Sequence, residues 1–233
     1  MAVTPYGKRE IALGSGVFVL LSLASILAWR HYESVWPLFP LGILVPLFFW
    51  LLWFFRDPDR TIPGELGLIV SPADGTVTHI DEVNEPEFIG GPTWRLSIFL
   101  SVLDVHLNRA PASGRVEFLK FRPGAFFDAR REESLIKNQN QDMGLMTDEK
   151  GFPSRLLIRQ SSGAIARNIV CPVSTGAKLA RGERYGMIKF GSRTTLFVSR
   201  DAEVEWLVRR GDRVKAGETA LARVLGGSEE GKS

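Results

Sequence analysis

A mainly β (α+β) fold, preceded by an N-terminal hydrophobic helical hairpin, is what this chain of 233 residues predicts. Three observations predict it. Two stretches near the N-terminus, Ile11 to Trp29 and Val35 to Phe55, contain no charged side chain. From about Asp57 the composition changes, and short runs rich in β-branched and aromatic residues alternate with Gly, Pro and Asp turns. Ten such runs fall in the remaining chain, which is strand-rich enough to set the class. The expected division is a membrane-anchoring hairpin over residues 1–56 and a catalytic domain over residues 57–233.

Each charge-free stretch has ~20 residues, the length that carries a helix across ~30 Å of hydrocarbon. Both are apolar on all faces, unlike the single stripe of a core-packed helix. The polar connector Arg30-His31-Tyr32-Glu33-Ser34 is short enough for a hairpin. Trp29, Tyr32, Trp36, Trp50 and Trp53 lie near the ends, where aromatic belts form. Pro37, Pro40 and Pro46 are expected to kink the second helix or leave it re-entrant. Lys8 and Arg9 precede the first span, Arg56 and Arg60 follow the second, and the connector holds only Arg30. That bias places both flanks on the cytoplasmic face of the cell (inner) membrane.

The expected strands are Leu68–Val70, Gly75–Ile80, Trp94–Ser101, Gly114–Phe121, Arg155–Ser161, Ile165–Val170, Arg184–Phe190, Thr194–Ser199, Val204–Leu207 and Thr219–Leu225. The polar segment Ala129–Asp148 reads as a loop with some helix, placed to move over a site. Lys178–Glu183 and Val208–Glu218 look like two copies of one turn before a strand. The second copy resembles the hairpin of biotinyl/lipoyl-like barrel sandwiches, so barrel-sandwich character is expected. No lysine sits at a carrier-type turn, so the carrier function does not come with the fold.

A formal charge of +3 suits an anionic bilayer surface. No zinc, helix-turn-helix or aromatic-basic motif points to nucleic acid. The single cysteine, Cys171, rules out an intrachain disulfide and gives no metal cluster; in Ile169-Val170-Cys171 it reads as a small buried residue.

Chemistry is expected around Ser192, in Lys189-Phe190-Gly191-Ser192-Arg193. It lacks the Gly-x-Ser-x-Gly elbow of hydrolases, since position 194 is Thr. As a self-processing serine it makes sense. Gly191 has no side chain to hinder attack of the hydroxyl on the Gly191 carbonyl, and it tolerates a strained backbone. Such attack needs a base and a stabiliser of the oxyanion. Asp74, in the turn Ser71-Pro72-Ala73-Asp74-Gly75, could orient a base. In a strand Asp104 and His106 would share a face, and His106 could carry a proton near neutral pH. Two other readings remain at this point. One is a membrane-anchored serine peptidase with a Ser192–Lys189 dyad; the other is a non-enzymatic adaptor.

Four motifs carry a resemblance: Ser71-Pro72-Ala73-Asp74-Gly75; Leu103-Asp104-Val105-His106-Leu107-Asn108-Arg109-Ala110-Pro111; Pro123-Gly124-Ala125-Phe126; and Phe190-Gly191-Ser192. In that order and spacing, with Arg56-Asp57-Pro58 after the hairpin, residues 55–225 resemble the short form of the phosphatidylserine decarboxylase proenzymes. The short form is also similar to archaetidylserine decarboxylases.

The resemblance implies cleavage between Gly191 and Ser192. The β chain (1–191) and α chain (192–233) would stay together as a heterodimer, and Ser192 would become a pyruvoyl (pyruvate) cofactor. It implies a phosphatidylserine substrate held as a Schiff base while CO₂ leaves, a bilayer as partner, no nucleic acid and no metal. A higher homo-oligomer is left open. Asp74 would support self-cleavage as a charge partner, and His106 would serve decarboxylation or proton transfer. The longer form has a second histidine where this chain has Arg109, and many members have Thr or Ser where it has Arg193. Arg109, Lys189 and Arg193 are candidates for the lipid phosphate.

Overall fold

The computed structural model describes residues 2–131, 133–147, 151–164, 167–189 and 191–225. The chain divides into two units, Met1–Asp59 and Arg60–Ser233.

In the first unit a short antiparallel pair, β1 (Ala2–Val3) and β2 (Arg56–Asp57), brackets two helices, α1 (Lys8–Tyr32) and α2 (Leu41–Phe54). Regular helix begins later in the second stretch than expected, and proline is the reason. Pro37 lies in a 3₁₀ turn over Trp36–Leu38 and Pro40 is the N-cap of α2, positions where a missing N–H costs little. Only Pro46 lies inside α2. Counted with the 3₁₀ turn, Trp36–Phe54 has 19 residues and Pro5–Tyr32 has 28, and both are long and apolar enough to cross a membrane. Only 6% of each apolar window is buried by the protein, the opposite of a core helix. The helices approach closely: Phe18 and Phe48 stack at 4.5 Å, and a Cβ on Gly14 would lie 2.4 Å from Leu51 Cδ2.

The second unit is built from β3 (Leu68–Val70), β4 (Gly75–Glu85), β5 (Gly91–Leu100), β6 (Leu107–Arg109), β7 (Gly114–Arg122), a one-turn helix α3 (Ser134–Lys137), β8 (Asn140–Met146), β9 (Arg155–Ser161), β10 (Asn168–Val170), β11 (Lys178–Leu179), β12 (Arg184–Lys189), β13 (Ser192–Ser199), β14 (Glu203–Trp206), β15 (Arg213–Val214) and β16 (Ala220–Leu225). An eight-stranded sheet runs β11-β7-β8-β9-β13-β5-β4-β15; two three-stranded sheets run β10-β12-β6 and β14-β16-β3. All the pairings are antiparallel. The mainly β expectation is met. Ile165, Ala166 and Phe190, in two of the expected strands, lie outside the described residues, as do residues 226–233 of the expected α chain.

The core lies on one face of the large sheet, where Leu96, Ile98 and Leu100 of β5 meet Leu196 and Val198 of β13 and Ile158 of β9. The two similar turns also meet. A Cβ on either Gly182 or Gly217 would strike Ile62, and the one on Gly217 would lie 3.6 Å from Gly182 Cα.

The segment Ala129–Asp148 departs from expectation. Its first half is the expected loop with a little helix, α3, but its second half is β8, which pairs with both β7 and β9. Its polarity misleads because its charge is neutralised in place. Asp142 is fully buried, accepts from Arg159 Nε at 2.7 Å and Nη2 at 2.8 Å, and pairs with Arg122. Arg122 also bonds Glu87, whose carboxyl is held down at about 2 by Arg122 and Lys120. Asp142→Ala would leave two half-buried cations facing each other. We expect a loss of about 2–3 kcal/mol, read as a lower denaturant midpoint with unchanged slope. A midpoint equal to wild type would show that the cluster adds nothing to stability.

Candidate active site

Ser192 opens β13, with β5 on one side and β9 on the other; it is opposite Leu100, and Arg193 is opposite Ser161. Ser192 is fully buried and its Oγ has no hydrogen-bond partner among the described residues. Leaving a buried hydroxyl unsatisfied is costly, and such an atom asks for a chemical explanation. Gly191 has φ +64°, the left-handed region that a side chain disfavours.

His106 meets this linkage directly. The Gly191 N–H donates to His106 Nε2 at 3.1 Å, and His106 Nδ1 lies 3.0 Å from the Asp104 carbonyl. A carbonyl can only accept, so Nδ1 carries the proton and Nε2 presents its lone pair to the linkage. The ring is fully buried.

The expected strand face shared by Asp104 and His106 is not what forms. Residues 101–106 make a turn and a short extended link before β6. The Asp104 carboxylate accepts from Ser101 N (2.8 Å) and Ser101 Oγ (2.7 Å) and pairs with Arg213. Asp104 therefore orients His106 through its backbone carbonyl, and its carboxylate closes the turn.

Asp74 lies at the same end of the sheet, ahead of β4. Its carboxylate accepts from Ala216 N at 2.8 Å and from Arg60 Nη2 at 2.7 Å. Burial pushes its pKa above the usual 3.8, and the charge of Asp104 adds to this; Ala216 N–H and Arg60 oppose it. Asp74 makes no hydrogen bond to His106 or to Ser192.

The three cations expected near the lipid phosphate are not solvated: Arg109 is 6% exposed, Lys189 6% and Arg193 1%. Arg109 donates from Nη1 to the Gly182 carbonyl at 2.9 Å. Arg193 alternates with Ser192 and so faces the other side of the sheet, where burial holds the His79 pKa down and the Arg193 charge adds to this. Cys171 is half-buried, and burial raises its thiol to about 11, as befits a packing residue. No group of metal-binding side chains occurs among the described residues.

Two features escaped the sequence reading. One is a buried amide network. Asn108 Nδ2 donates to Thr194 Oγ1 (2.9 Å) and to the Pro72 carbonyl (3.2 Å), while Asn108 Oδ1 accepts from Gln160 Nε2 (2.9 Å). It clamps β13 two residues past Ser192. The other is Gly163, just past β9. A Cβ there would lie 2.2 Å from the Gly191 carbonyl oxygen, so the Gly163 backbone lies flat against the carbonyl that Ser192 would attack. Only its place after Ser161-Ser162 marked it, and that reads as an ordinary turn.

A buried serine hydroxyl without a partner among the described residues, a left-handed glycine before it and an imidazole nitrogen that accepts the glycine N–H suit backbone cleavage at residue 192 and a cofactor made from it. Comparison with known proteins agrees. A family model described as phosphatidylserine decarboxylase matches residues 47–222. Proteins named phosphatidylserine decarboxylase proenzyme are similar throughout. The one from Symbiobacterium thermophilum is 44% identical over 221 residues, covering 93% of this chain and 97% of the relative. The one from Rhodopirellula baltica is 45% identical, covering 88% and 82%, and the one from Carboxydothermus hydrogenoformans 43%, covering 91% and 95%.

Proposed function

The chain belongs to the phosphatidylserine decarboxylase family, and from that premise we propose that its Gly191–Ser192 bond breaks itself to make the working enzyme. The enzyme is a carboxy-lyase that converts phosphatidylserine to phosphatidylethanolamine and CO₂. Its pyruvoyl group derives from Ser192. One observation carries the self-cleavage: the buried, unpartnered Ser192 hydroxyl beside a glycine amide that His106 holds.

Ser192 Oγ attacks the Gly191 carbonyl and the acyl group passes from nitrogen to oxygen, turning the amide into an ester. His106 Nε2, kept proton-free by the Asp104 carbonyl, lets go of the Gly191 N–H and takes the hydroxyl proton. Loss of the Cα proton of residue 192 expels the Gly191 carboxylate and leaves dehydroalanine. Its imine form takes up one water and releases ammonia. The ketone that remains supplies an electron sink for the Cα–carboxylate bond of the substrate. His106 is then placed to return a proton to the substrate carbon. Asp74 acts at a distance, as the charge that holds Arg60 and the Ala216 turn against this end of the sheet.

Two apolar helices support membrane attachment, and Lys8, Arg9, Arg56 and Arg60 at their flanks support a cytoplasmic domain on the cell membrane. Confinement to the substrate's own surface raises its effective concentration.

The deciding experiment is intact-mass analysis of purified protein. Two fragments are expected, the smaller starting at position 192 and lighter than its serine-led sequence by one NH₃. A single active polypeptide would end the proposal. In His106→Ala, we expect slower processing and loss of CO₂ release from phosphatidylserine. Wild-type rates of both would remove His106 from the scheme.

A further inference from the structure

We propose that the loops either side of the Gly191–Ser192 linkage, Ser101–Asp104 and the described residues of 124–138, form a rim that seats on the surface of a phospholipid bilayer. Both loops border the linkage. A Cβ on Gly191 would lie 3.7 Å from Val102 Cγ1, and one on Gly163, which faces the Gly191 carbonyl, would lie 3.5 Å from Ala129 Cβ. Both display apolar side chains to solvent: Leu103 is 60% exposed, Ile136 86%, and Val102 and Phe126 36% each.

This display is held in place. Buried Asn138 donates from Nδ2 to the carbonyls of Phe127 (2.9 Å) and Ser162 (2.8 Å) and accepts the Phe127 N–H at 2.9 Å. The second loop is thus tied to the strand end that carries Gly163, and Phe126 and Ile136 project from a fixed frame. Apolar tips on a fixed frame, grouped about one buried reaction centre, mark a contact surface.

Cations set on aromatic rings favour a membrane as the occupant, although Lys137 also pairs with Glu133 at 3.6 Å. The Arg167 guanidinium lies 5.4 Å from the Phe126 ring centre and the Lys137 ammonium 6.0 Å from that of Phe127. A cation on an aromatic ring matches the bilayer interface, with the charge at phosphate level and the ring below it. The inference rests on the decarboxylase reading for its purpose, since the serine head group of a bilayer lipid must reach the buried position 192.

The test uses the full chain in vesicles that contain anionic phosphatidylglycerol and bromine-labelled acyl chains. A fluorophore is attached through Leu103→Cys, Ile136→Cys or Arg200→Cys; Cys171, with its raised thiol pKa, labels slowly. Arg200 follows Ser199, which ends β13 about 23 Å from Ser192 at ~3.3 Å per residue. Quenching at positions 103 and 136 should exceed that at 200 by about 3-fold, as insertion of the rim requires. Equal quenching at all three positions, or none at 103 and 136, overturns the rim. This arm does not depend on decarboxylation.

The second arm uses Leu103→Ser combined with Ile136→Ser. This variant should process fully and act on monomeric short-chain phosphatidylserine at the wild-type rate, yet lose about 10-fold on vesicles. Equal loss on both substrates, or no loss on vesicles, overturns the proposal. Wild-type protein inactive on both substrates would instead refute the decarboxylase reading, and quenching would still decide the rim.

Discussion

Ser192→Ala remains one chain of 25.9 kDa and releases no CO₂ from phosphatidylserine. The structure makes this a clean test, because the Ser192 hydroxyl has no partner to lose. Deleting an unsatisfied buried hydroxyl is neutral or slightly stabilising, so the variant should unfold at or above the wild-type temperature. A well-folded but inactive and uncut chain would therefore report lost chemistry. Two fragments, or activity, from this variant would place the cleavage elsewhere and end the scheme.

Gly163→Ala is the second large effect. The added methyl would lie 2.2 Å from the Gly191 carbonyl oxygen, closer than real atoms approach, and 3.2 Å from its carbon, a tight contact. Part of the clash falls on backbone, so the carbonyl has to move. A shift of about 1 Å in a reacting atom can cost ~100-fold in rate. We expect uncut precursor to accumulate, with self-cleavage slowed by about two orders of magnitude. Circular dichroism and the melting temperature should stay near wild type, since the clash is confined to the linkage. Cleavage at the wild-type rate would show that this carbonyl needs no fixed seat.

Much of the fold can be read from residue patterns, and where it cannot the physical reason is specific. Arg155–Ser161 is a strand with the bounds that its short β-rich run suggests. Asn140–Met146 is hidden because its polar residues are paired across strands, and no local window shows that Asp142 has two arginines waiting. Proline marks where α2 begins, but only if the residue is read as a helix start as well as a kink. At the candidate site, the order of the motifs points to position 192 and to His106. The link between them is a hydrogen bond across 85 residues, and it runs through a turn that the strand pattern does not foretell. The seat at Gly163 is an absence of atoms, which only three dimensions can reveal.

β13 has neighbours on both sides, eight residues in register with β5 and six with β9. A strand so enclosed cannot be threaded in afterwards, so the sheet must close before the bond beside it is cut. Folding then joins partners within one molecule, whereas a nicked enzyme, once melted, would have to find its missing strand by collision. The lifetime of the active protein is thus set by how slowly it first opens, and heat should inactivate it for good while the uncut Ser192→Ala chain recovers on cooling.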